Sequence, residues 1–343
     1  MSISNVASGS RSSILIGAGL GVTLIAGGLS YLYYKYLKRD VMPLKWRRIG
    51  TLDQINIFPV KSCGPLQLTD QDQVFCEVLG LCYGGVRDRA LMLINDKNEM
   101  ITARIYPKMV LIRISVVGDA KLCVNFDGME PLEIDFSKMV EDAPGRDVHT
   151  SVWGTKIDAM LCGEKYDHWF SRCILQKDSG LRLVYYPYPK PVRSTNARMM
   201  KEPFIKQEDS GTFGDATSYM LMNLASVDDL KHKMNKPVDP LQFRGNFHLR
   251  MDKDEPYAED KWQWIRIGED AVFRVVAPCT RCIFPNINVT TGERDPNGDP
   301  LKTLKSYRMF KNYASPALGV HLGLRRGGVI TNNDVIYVED NTP

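Results

Sequence analysis

A chain of 343 residues is long enough for about two domains with separate hydrophobic cores. The formal net charge of +4 is localised: residues 1–50 contain seven Lys/Arg and one Asp, so the other 293 residues carry 37 basic and 39 acidic side chains. Such a near-neutral body argues against a nucleic-acid-binding protein, which would need a basic face. The eight cysteines are spread too widely for a small disulfide-stapled fold, and they indicate free thiols in a reducing compartment.

The first predicted element is a transmembrane helix over about residues 14–34. This stretch, ILIGAGLGVTLIAGGLSYLYY, contains no charged residue, and at about 1.5 Å per residue it reaches roughly 30 Å, the thickness of a bilayer's hydrocarbon core. Tyrosines gather at its C-terminal end, and six Lys/Arg follow it, against Arg11 alone on the other side. Residues 1–48 are therefore expected to be a membrane anchor with a basic flank, with the body in the cytosol. A cleaved signal peptide is the alternative, but its apolar run is usually shorter, about 7–15 residues.

Beyond the anchor, the sequence predicts a body rich in β-strands. Alternating apolar and polar residues in IGTLDQINIFPV predict a strand that ends at Pro59. RALMLIND and EMITAR flank Lys97-Asn98 and predict a hairpin, and KMVLIRISVVG and KLCVNFDG continue the β pattern. EKYDHWFSRCILQ repeats its apolar residues at helical spacing and predicts an amphipathic helix. Prolines at alternate positions of YYPYPKPVRS suit neither a helix nor a central strand, so residues 187–194 are the predicted linker.

The second half of the body is again predicted to be mainly β. ASVDDLKHKM predicts a short helix that Ser226 caps, with Asp229 three positions on. LQFRGNFHLRM predicts a strand, WQWIRIGEDAVFRVVAP a pair of strands around Gly268, and NNDVIYVED a last strand. GERDPNGDP predicts a turn-rich loop. The body is therefore expected to be α+β and β-rich, in two parts at roughly 50–185 and 195–340.

Two cysteines three positions apart, Cys279 and Cys282 in VVAPCTRCIFPN, are the main chemical signal. A structural zinc site needs four ligands, and the only histidine downstream of this pair is His321. A redox dithiol needs a helix after its strand, but IFPNINVTTG contains a proline, two asparagines and β-branched residues. Two buried cysteines that pack as small apolar groups are a further alternative. Arg281 between them favours a thiolate, which binds soft metals or attacks electrophiles.

Other cationic and polar residues stand near predicted strand ends. They are Lys61, Ser62, Arg87, Arg89, Arg244 and Asn246. Because arginine grips phosphate in a forked geometry, these positions in a near-neutral body indicate a pocket for an anionic ligand. Each residue alone is by default a surface charge or part of a structural ion pair, and spacing does not establish that they converge.

Several runs of the chain resemble the MOSC-domain proteins: INIFPVKSCGPL, LMLINDKNEMITARIYPKMVLI, FRGNF, YAEDKWQWIRIG and APCTRCIFPNINVTTGERDPNGDPLKTLKSYR. The resemblance covers nearly all of residues 49–340 and points to the family of mitochondrial amidoxime-reducing components, which are membrane-anchored molybdenum enzymes. It implies an N-terminal β-rich MOSC-associated domain at 49–186 and a MOSC β-barrel domain at 195–340, joined by the linker at 187–194. The anchor would then lie in the mitochondrial outer membrane.

The resemblance also implies a molybdopterin site. The family's molybdenum ligand is the second cysteine of its C-x-R-C run, so Cys282 is the predicted catalytic residue and metal ligand. The other predicted cofactor-binding residues are Lys61, Ser62, Arg89, Asp215, Thr217, Arg244, Asn246, Thr280, Arg281 and His321. Cys279 is expected to support the site or to pack. Compared with vertebrate members, the chain has Ala216 for a hydroxyl residue, Gly245 for a proline and His321 for a tyrosine.

The implied function is a detoxifying, two-electron reduction of amidoximes, hydroxylamines and N-hydroxylated base analogues to amines. Electrons would come from NADH through a flavin reductase and a haem carrier of the cytochrome b type, since the chain itself contains no NAD or flavin motif. The alternative is a molybdenum-cofactor binding or sulfur-carrier protein that uses Cys282 as a persulfide without reductase turnover. No nucleic-acid partner is expected.

Overall fold

The computed structural model describes residues 41–118, 120–141, 147–194, 201–340 and 342, together with the isolated positions 27, 28, 30 and 32. Within these residues no helix is both long and apolar enough to cross a bilayer. The predicted transmembrane helix over about residues 14–34 lies outside the described residues, apart from the four isolated positions. Met1–Pro43 and Leu44–Pro343 are separate units, and all strands and helices that follow belong to the second.

The regular elements of the second unit are short strands with a few helices between them. The strands are β1 (Trp46–Ile55), β2 (Val74–Glu77), β3 (Gly80–Tyr83), β4 (Val86–Arg87), β5 (Leu91–Asn95), β6 (Arg113–Val116), β7 (Lys121–Asn125), β8 (Leu132–Asp135), β9 (Asp147–Val152), β10 (Thr155–Leu161), β11 (Leu181–Tyr185), β12 (Tyr219–Asn223), β13 (Phe247–Met251), β14 (Trp264–Ile267), β15 (Ala271–Thr280), β16 (Ala317–Arg326), β17 (Gly328–Ile330) and β18 (Val335–Glu339). The α-helices are α1 (Phe136–Glu141), α2 (Glu164–Leu175), α3 (Leu224–Met234) and α4 (Leu301–Tyr307). Turns of 3-10 helix lie at Pro107–Leu111, Gln207–Ser210, Pro240–Phe243, Ala258–Lys261 and Phe284–Asn286.

A closed barrel organises this unit. Within the described chain it contains seven strands in the order β1-β13-β12-β16-β15-β14-β18, and β18 pairs with β1 to close it. Only β12 and β13 run parallel among these neighbours. Tyr219, Phe247 and Phe273 are fully buried, and the rings of Tyr219 and Phe273 meet edge to face at 5.0 Å. The prediction of a β-rich fold with a barrel is confirmed.

Strand pairing crosses the predicted linker. Residues 187–194 form no strand or helix, as a linker requires. Nevertheless β1, which precedes the linker, completes the barrel between β13 and β18, and β17, which follows it, pairs with β2. The other sheets run β5-β11-β10-β9 and β6-β7-β8. The division into domains at 49–186 and 195–340 stays a prediction. The barrel takes its first strand, β1, from the predicted N-terminal domain.

Some predicted elements match the structure and others do not. The amphipathic helix of EKYDHWFSRCILQ is confirmed as α2, which buries Trp169, Phe170 and Cys173. EMITAR contributes only an isolated bridge between Ile94 and Met100, and the first half of KMVLIRISVVG is a 3-10 turn instead of a strand. Pro107 explains the turn, because proline lacks the N–H that a strand ladder needs and fits the start of a helix.

Around residues 223–251 the sequence predictions were wrong in two places. Asn223, and not Ser226, caps α3, since its side chain accepts a hydrogen bond from the N–H of Ala225 at 3.1 Å. The strand predicted from LQFRGNFHLRM begins only at β13. Its first half is a 3-10 turn that Asp239 caps, accepting from the N–H of Leu241 at 2.8 Å. Local capping overrides the alternating pattern here.

Ser226 instead serves a buried carboxyl group, that of Glu259. The hydroxyl of Ser226 donates to both carboxyl oxygens, at 2.8 and 3.1 Å, and the amide of Asn223 donates to one of them at 3.0 Å. Glu259 is fully buried. Burial raises the pKa of Glu259 to about 7, although the hydrogen bonds from Asn223 and Ser226 oppose the rise.

Glu259→Gln is expected to reduce the pH dependence of stability. Because the folded-state pKa of about 7 exceeds the ordinary value of 4.5, the folded protein keeps a proton that the unfolded chain has lost. The contribution of Glu259 to stability is complete below the ordinary pKa and is lost as the pH rises to the folded-state pKa, a change on the order of 3 kcal/mol. Urea denaturation at about pH 5 and about pH 7.5 should give a smaller difference in unfolding free energy for the variant than for the wild type. Equal differences would contradict this assignment.

Candidate cofactor-binding site

A cavity of about 550 Å³ collects the predicted site residues. All of them line it: Lys61, Ser62, Arg89, Asp215, Thr217, Arg244, Asn246, Thr280, Arg281, Cys282 and His321. Unpredicted lining residues are Thr102, Arg104, Trp153, Ala216, Met220, Gln242, Phe243, Cys279, Phe284, Pro285 and Ser315. Arg87, a candidate from its position alone, is not among them and pairs with Glu77 at 3.1 Å.

Backbone hydrogen bonds explain why segments far apart in sequence meet at this cavity. The N–H of Asn56 donates to the carbonyl of Asn246, and the N–H of Arg89 donates to the carbonyl of Phe58, both at 2.8 Å. The N–H of Asn246 in turn donates to the carbonyl of Met220 on β12, also at 2.8 Å. The chain after β1, the turn after β4 and the turn before β13 are therefore fixed next to one another.

Three of the predicted site residues have left-handed backbone conformations. The φ angle is +72° at Ser62, +51° at Arg89 and +56° at Arg244. Residues with a Cβ rarely adopt this region, and each instance costs about 1 kcal/mol or more unless its surroundings impose it. Strain of this kind is common at binding sites, although the same conformation also occurs outside the cavity, for example at Asn98 and Gln176.

Arg244 has the least satisfied side chain in the cavity. Its guanidinium carbon lies 4.0 Å from the ring centroid of Phe58 and 5.1 Å from that of Phe284. Nη1 donates to the carbonyl of Cys63 at 2.7 Å, whereas Nη2 is buried and has no partner among the described residues. Burial, followed by repulsion from Arg89, lowers the pKa of Arg244 to about 9. A buried cation with an open donor is suited to an anionic ligand.

At another part of the wall, Asp215 joins two cations. It accepts hydrogen bonds from Lys61 and, at 3.1 Å, from Arg104, whose guanidinium carbon lies 3.9 Å from a ring centroid of Trp153. Asp215 is half-exposed, whereas Lys61 is buried and also donates to the carbonyl of Phe213 at 2.8 Å. Desolvation acts to raise the pKa of Asp215, but the charges of Lys61 and Arg104 overcome it and lower that pKa. Desolvation lowers the pKa of Lys61 to about 8.

Asn246 and Arg89 support the cavity through Asp88. The amide of Asn246 donates to the carbonyl of Asn56 at 3.1 Å and to the carboxylate of Asp88 at 3.2 Å. Arg89 pairs with the same carboxylate and donates through Nη2 to the carbonyl of Arg244 at 3.0 Å. The amide nitrogen of Asn246 is thus engaged by the protein, so this residue holds the wall of the cavity together.

The two cysteines of the dithiol motif have different surroundings. Cys279, at the end of β15, is buried in an apolar cluster with Met220, Met222 and Leu318, and burial raises the pKa of its thiol. Cys282 is partly exposed, and its sulfur accepts a hydrogen bond from the N–H of Phe284 at 3.4 Å. Cys279 is therefore packed as a small apolar group, which was one of the alternatives that the sequence left open. Cys282 has the accessible sulfur of the pair.

Arg281 holds the wall between the two cysteines. Its Nε donates to the carbonyl of Leu318 at 2.9 Å, and its Nη1 donates to the carbonyl of Phe243 at 2.8 Å. The side chain is buried, and burial lowers the pKa of Arg281. Its positive charge also lowers the pKa of the Cys279 thiol, against the larger effect of burial. Arg281 therefore has two effects: its charge acts on the thiol pKa of Cys279, and its hydrogen bonds hold main-chain carbonyls of the cavity wall.

His321, on β16, contacts Thr217. The hydroxyl of Thr217 lies 3.0 Å from Nδ1 of His321 and donates to the carbonyl of Tyr219 at 2.8 Å. Burial, followed by repulsion from Arg281, lowers the pKa of His321 to about 3. The imidazole is therefore neutral at physiological pH. Thr280 lies exposed at the last position of β15.

Sequence reasoning missed Arg104 and Trp153 on the cavity wall. Arg104 lies in EMITAR, which was predicted to be a strand of a hairpin. Trp153 lies in the turn between β9 and β10. The Trp153-Gly154 dipeptide is a turn signal, but it does not indicate which cavity the turn approaches. Only the tertiary structure brings these side chains to Asp215.

A closed barrel beside a cationic cavity with one accessible thiol agrees with the matches of the chain to known families. Residues 49–177 match the MOSC N-terminal beta barrel domain, and residues 208–337 match the MOSC domain. Fold and site thus define a MOSC-domain protein.

Curated relatives extend this likeness over nearly the whole chain. Mitochondrial amidoxime-reducing component 1 of Danio rerio is 32% identical over 330 residues, covering 95% of this chain and 94% of that protein. The Mus musculus and Homo sapiens proteins of the same name are 31% and 30% identical, covering 96% and 94% of this chain and 93% and 92% of their own lengths. The chain belongs to the family of mitochondrial amidoxime-reducing components.

The contrast between the two thiols predicts selective alkylation. In protein produced without molybdenum, Cys282 is expected to react with iodoacetamide about tenfold or more faster than Cys279, because Cys279 is buried and its thiol pKa is raised. Trypsin cleaves after Arg281, so the two cysteines fall on separate peptides for mass spectrometry. Modification of Cys279 at an equal or higher rate would contradict the assignment of Cys282 as the accessible sulfur.

Proposed function

We propose that the protein is a molybdenum-cofactor-dependent reductase of N-hydroxylated compounds: amidoximes, hydroxylamines and N-hydroxylated base analogues. The observation that carries the proposal is the presence, in one cavity, of the accessible sulfur of Cys282 and the unpartnered buried donor of Arg244. The names of the curated relatives, amidoxime-reducing components, agree with this reaction. The reaction breaks the N–O bond with two electrons and two protons and releases an amine and water.

The residues present fit a molybdopterin. A thiolate is a soft donor suited to molybdenum, so Cys282 would bind the metal. Lys61, Ser62, Arg89 and Arg244 would hold the anionic phosphate and the pterin, since they supply cationic and hydroxyl donors on the cavity wall. When bound, this cofactor supplies the two-electron chemistry that the side chains of the protein lack.

The chain's own residues would bind and orient the reactants. Asp215 stays ionised and keeps the charges of Lys61 and Arg104 in place. Phe284 and Trp153 would give the cavity apolar surface against which part of a ligand could pack. Arg281 and Asn246 hold the wall through the main-chain hydrogen bonds described above. A cavity of about 550 Å³ is within the usual range for small-molecule sites.

Electrons are proposed to reach this site from NADH through a flavin reductase and a haem carrier of the cytochrome b type. The proposed anchor, residues 1–48, would hold the body at the mitochondrial outer membrane, on the cytosolic side. An uncharged run over residues 14–34 with a basic flank, and the mitochondrial names of the relatives, support this location. Tethering raises the effective concentration of partners that must meet repeatedly.

Cys282→Ser is expected to abolish reduction of benzamidoxime, because a hard hydroxyl replaces the soft thiolate. Full-length protein from molybdenum-replete cells would be assayed with chemically reduced cytochrome b type carrier, and its molybdenum measured by mass spectrometry. Cys123→Ser is the matched control, since Cys123 lies on β7 outside the cavity and is partly exposed, like Cys282. Arg244→Ala is expected to lower the molybdenum retained on purification.

Each result separates the candidate functions. Wild-type turnover by Cys282→Ser would overturn the assignment of the metal ligand. A wild-type protein that carries a persulfide on Cys282 and does not turn over would favour the sulfur-carrier alternative. Full molybdenum content in Arg244→Ala would contradict the role proposed for that guanidinium.

Removal of residues 1–40 is expected to release the protein from membranes, because the uncharged run and part of its basic flank are lost. Flotation in a density gradient measures this and separates membrane-bound protein from aggregates, which do not float. Full-length protein is the control. A truncated protein that still floats with the membranes would contradict the proposed anchor.

A further inference from the structure

A short hydrogen-bond chain inside the cavity determines where the proton of His321 lies. The hydroxyl oxygen of Thr217 lies 2.8 Å from the carbonyl oxygen of Tyr219 and 3.0 Å from Nδ1 of His321. A carbonyl oxygen only accepts, so Thr217 must donate its single hydroxyl proton to Tyr219. Thr217 is then an acceptor toward His321, and the hydrogen bond requires a proton on Nδ1.

This direction leaves Nε2 of His321 without a proton. A neutral imidazole carries one N–H, and burial keeps His321 neutral by lowering its pKa to about 3. None of the hydrogen bonds of the described residues involves Nε2, whereas Nδ1 is engaged by Thr217. The second ring nitrogen is therefore available as an acceptor.

The barrel holds His321 in place on both sides. In the strand register, His321 is opposite Met220 on β12 and opposite Ala277 on β15. Gly319, two residues earlier, has a φ of +75°, and a Cβ there would lie 2.4 Å from Cε of Met220 and 2.5 Å from the carbonyl oxygen of Leu221. At this point β16 therefore packs closely against β12, two residues before His321.

Cationic donors are numerous on the wall of this cavity. Five cationic side chains line it: Lys61, Arg89, Arg104, Arg244 and Arg281. The carboxylate of Asp215 is already bound by Lys61 and Arg104. A ligand with N–H or O–H groups in the cavity meets these donors, and Nε2 of His321 offers a lone pair in addition to the hydroxyl oxygens of the wall.

We propose that Thr217 fixes His321 in the Nδ1–H tautomer, so that Nε2 accepts a hydrogen bond from an N–H or O–H group of a ligand in the cavity. His321 is thereby a ligand-binding residue, and Thr217 is a positioning residue that acts through it. The donor has two possible sources, the N-hydroxylated substrate and an N–H group of the pterin. Only the identity of this donor rests on the proposed function, because the tautomer follows from the protein alone.

The tautomer is tested by nuclear magnetic resonance of full-length protein labelled with 15N-histidine, prepared without cofactor in detergent. The expected His321 signals are a protonated, pyrrole-type Nδ1 and an unprotonated, pyridine-type Nε2, and the spectrum of His321→Gln assigns them among the five histidines. Thr217→Val removes the acceptor and is expected to mix the two tautomers, whereas Thr217→Ser restores the hydroxyl and the wild-type pattern. A protonated Nε2 in the wild type, or an unchanged pattern in Thr217→Val, would overturn the proposal.

The donor is identified by two additions to the labelled protein. A shift of the Nε2 signal on loading with the cofactor in its oxidised, diamagnetic form identifies the pterin as the donor. A shift that appears only when benzamidoxime is added to the loaded protein identifies the substrate, and Thr217→Val should then raise KM for benzamidoxime about fivefold to tenfold. An Nε2 signal that neither addition changes would overturn the acceptor role. Failure of the proposed function is distinct, because it appears as lack of molybdenum or of turnover while the tautomer of the unloaded protein is unaffected.

Discussion

The guanidinium of Arg244, enclosed between the rings of Phe58 and Phe284, is the feature on which the site depends. A cation with a buried donor is unfavourable unless hydrogen bonds and counter-charges surround it. Among the described residues, Nη1 donates to the carbonyl of Cys63 and the buried Nη2 has no partner. Arg244 has a left-handed backbone, and its guanidinium lies against both rings. Its neighbour Arg89, which repels it, is balanced by Asp88, and Asp88 also binds Asn246. An anion in the cavity could accept a hydrogen bond from the buried Nη2 of Arg244. The unfavourable burial of this donor would then be relieved when a ligand binds.

Closure of the barrel by β1 makes that arrangement possible. β1 lies between β13 and β18, so the chain that leaves it, from Asn56 onward, runs directly beside Asn246. The same segment continues to Lys61 and Ser62 and pairs with the turn that carries Arg89. Cationic residues from both halves of the sequence therefore converge because one early strand belongs to a barrel built mostly from late ones.

Within the cavity, the protein distinguishes chemically similar groups by burial. Cys279 and Cys282 are three residues apart, but β15 carries the first into an apolar cluster and ends before the second, whose sulfur remains accessible. The two ring nitrogens of His321 are also distinguished: Nδ1 is bonded to the hydroxyl of Thr217, which donates to the carbonyl of Tyr219, whereas no hydrogen bond of the described residues involves Nε2. The cavity wall therefore combines cationic side chains with a partly exposed cysteine, Cys282, and a ring nitrogen of His321 that can accept a hydrogen bond.

Local patterns in the sequence were sufficient for some features and not for others. The period of EKYDHWFSRCILQ predicted α2, alternation predicted most barrel strands, and the resemblance assigned residues that all line one cavity, because these signals lie within short runs of the chain. The 3-10 turns at Pro107 and Pro240 and the cap at Asn223 escaped the pattern, since capping and proline geometry compete with alternation over a few residues. Membership of β1 in the barrel, the arrival of Arg104 and Trp153 at Asp215 and the tautomer of His321 required the tertiary structure. They depend on contacts between residues about 50 to 290 positions apart, and no local spacing encodes which of those contacts forms.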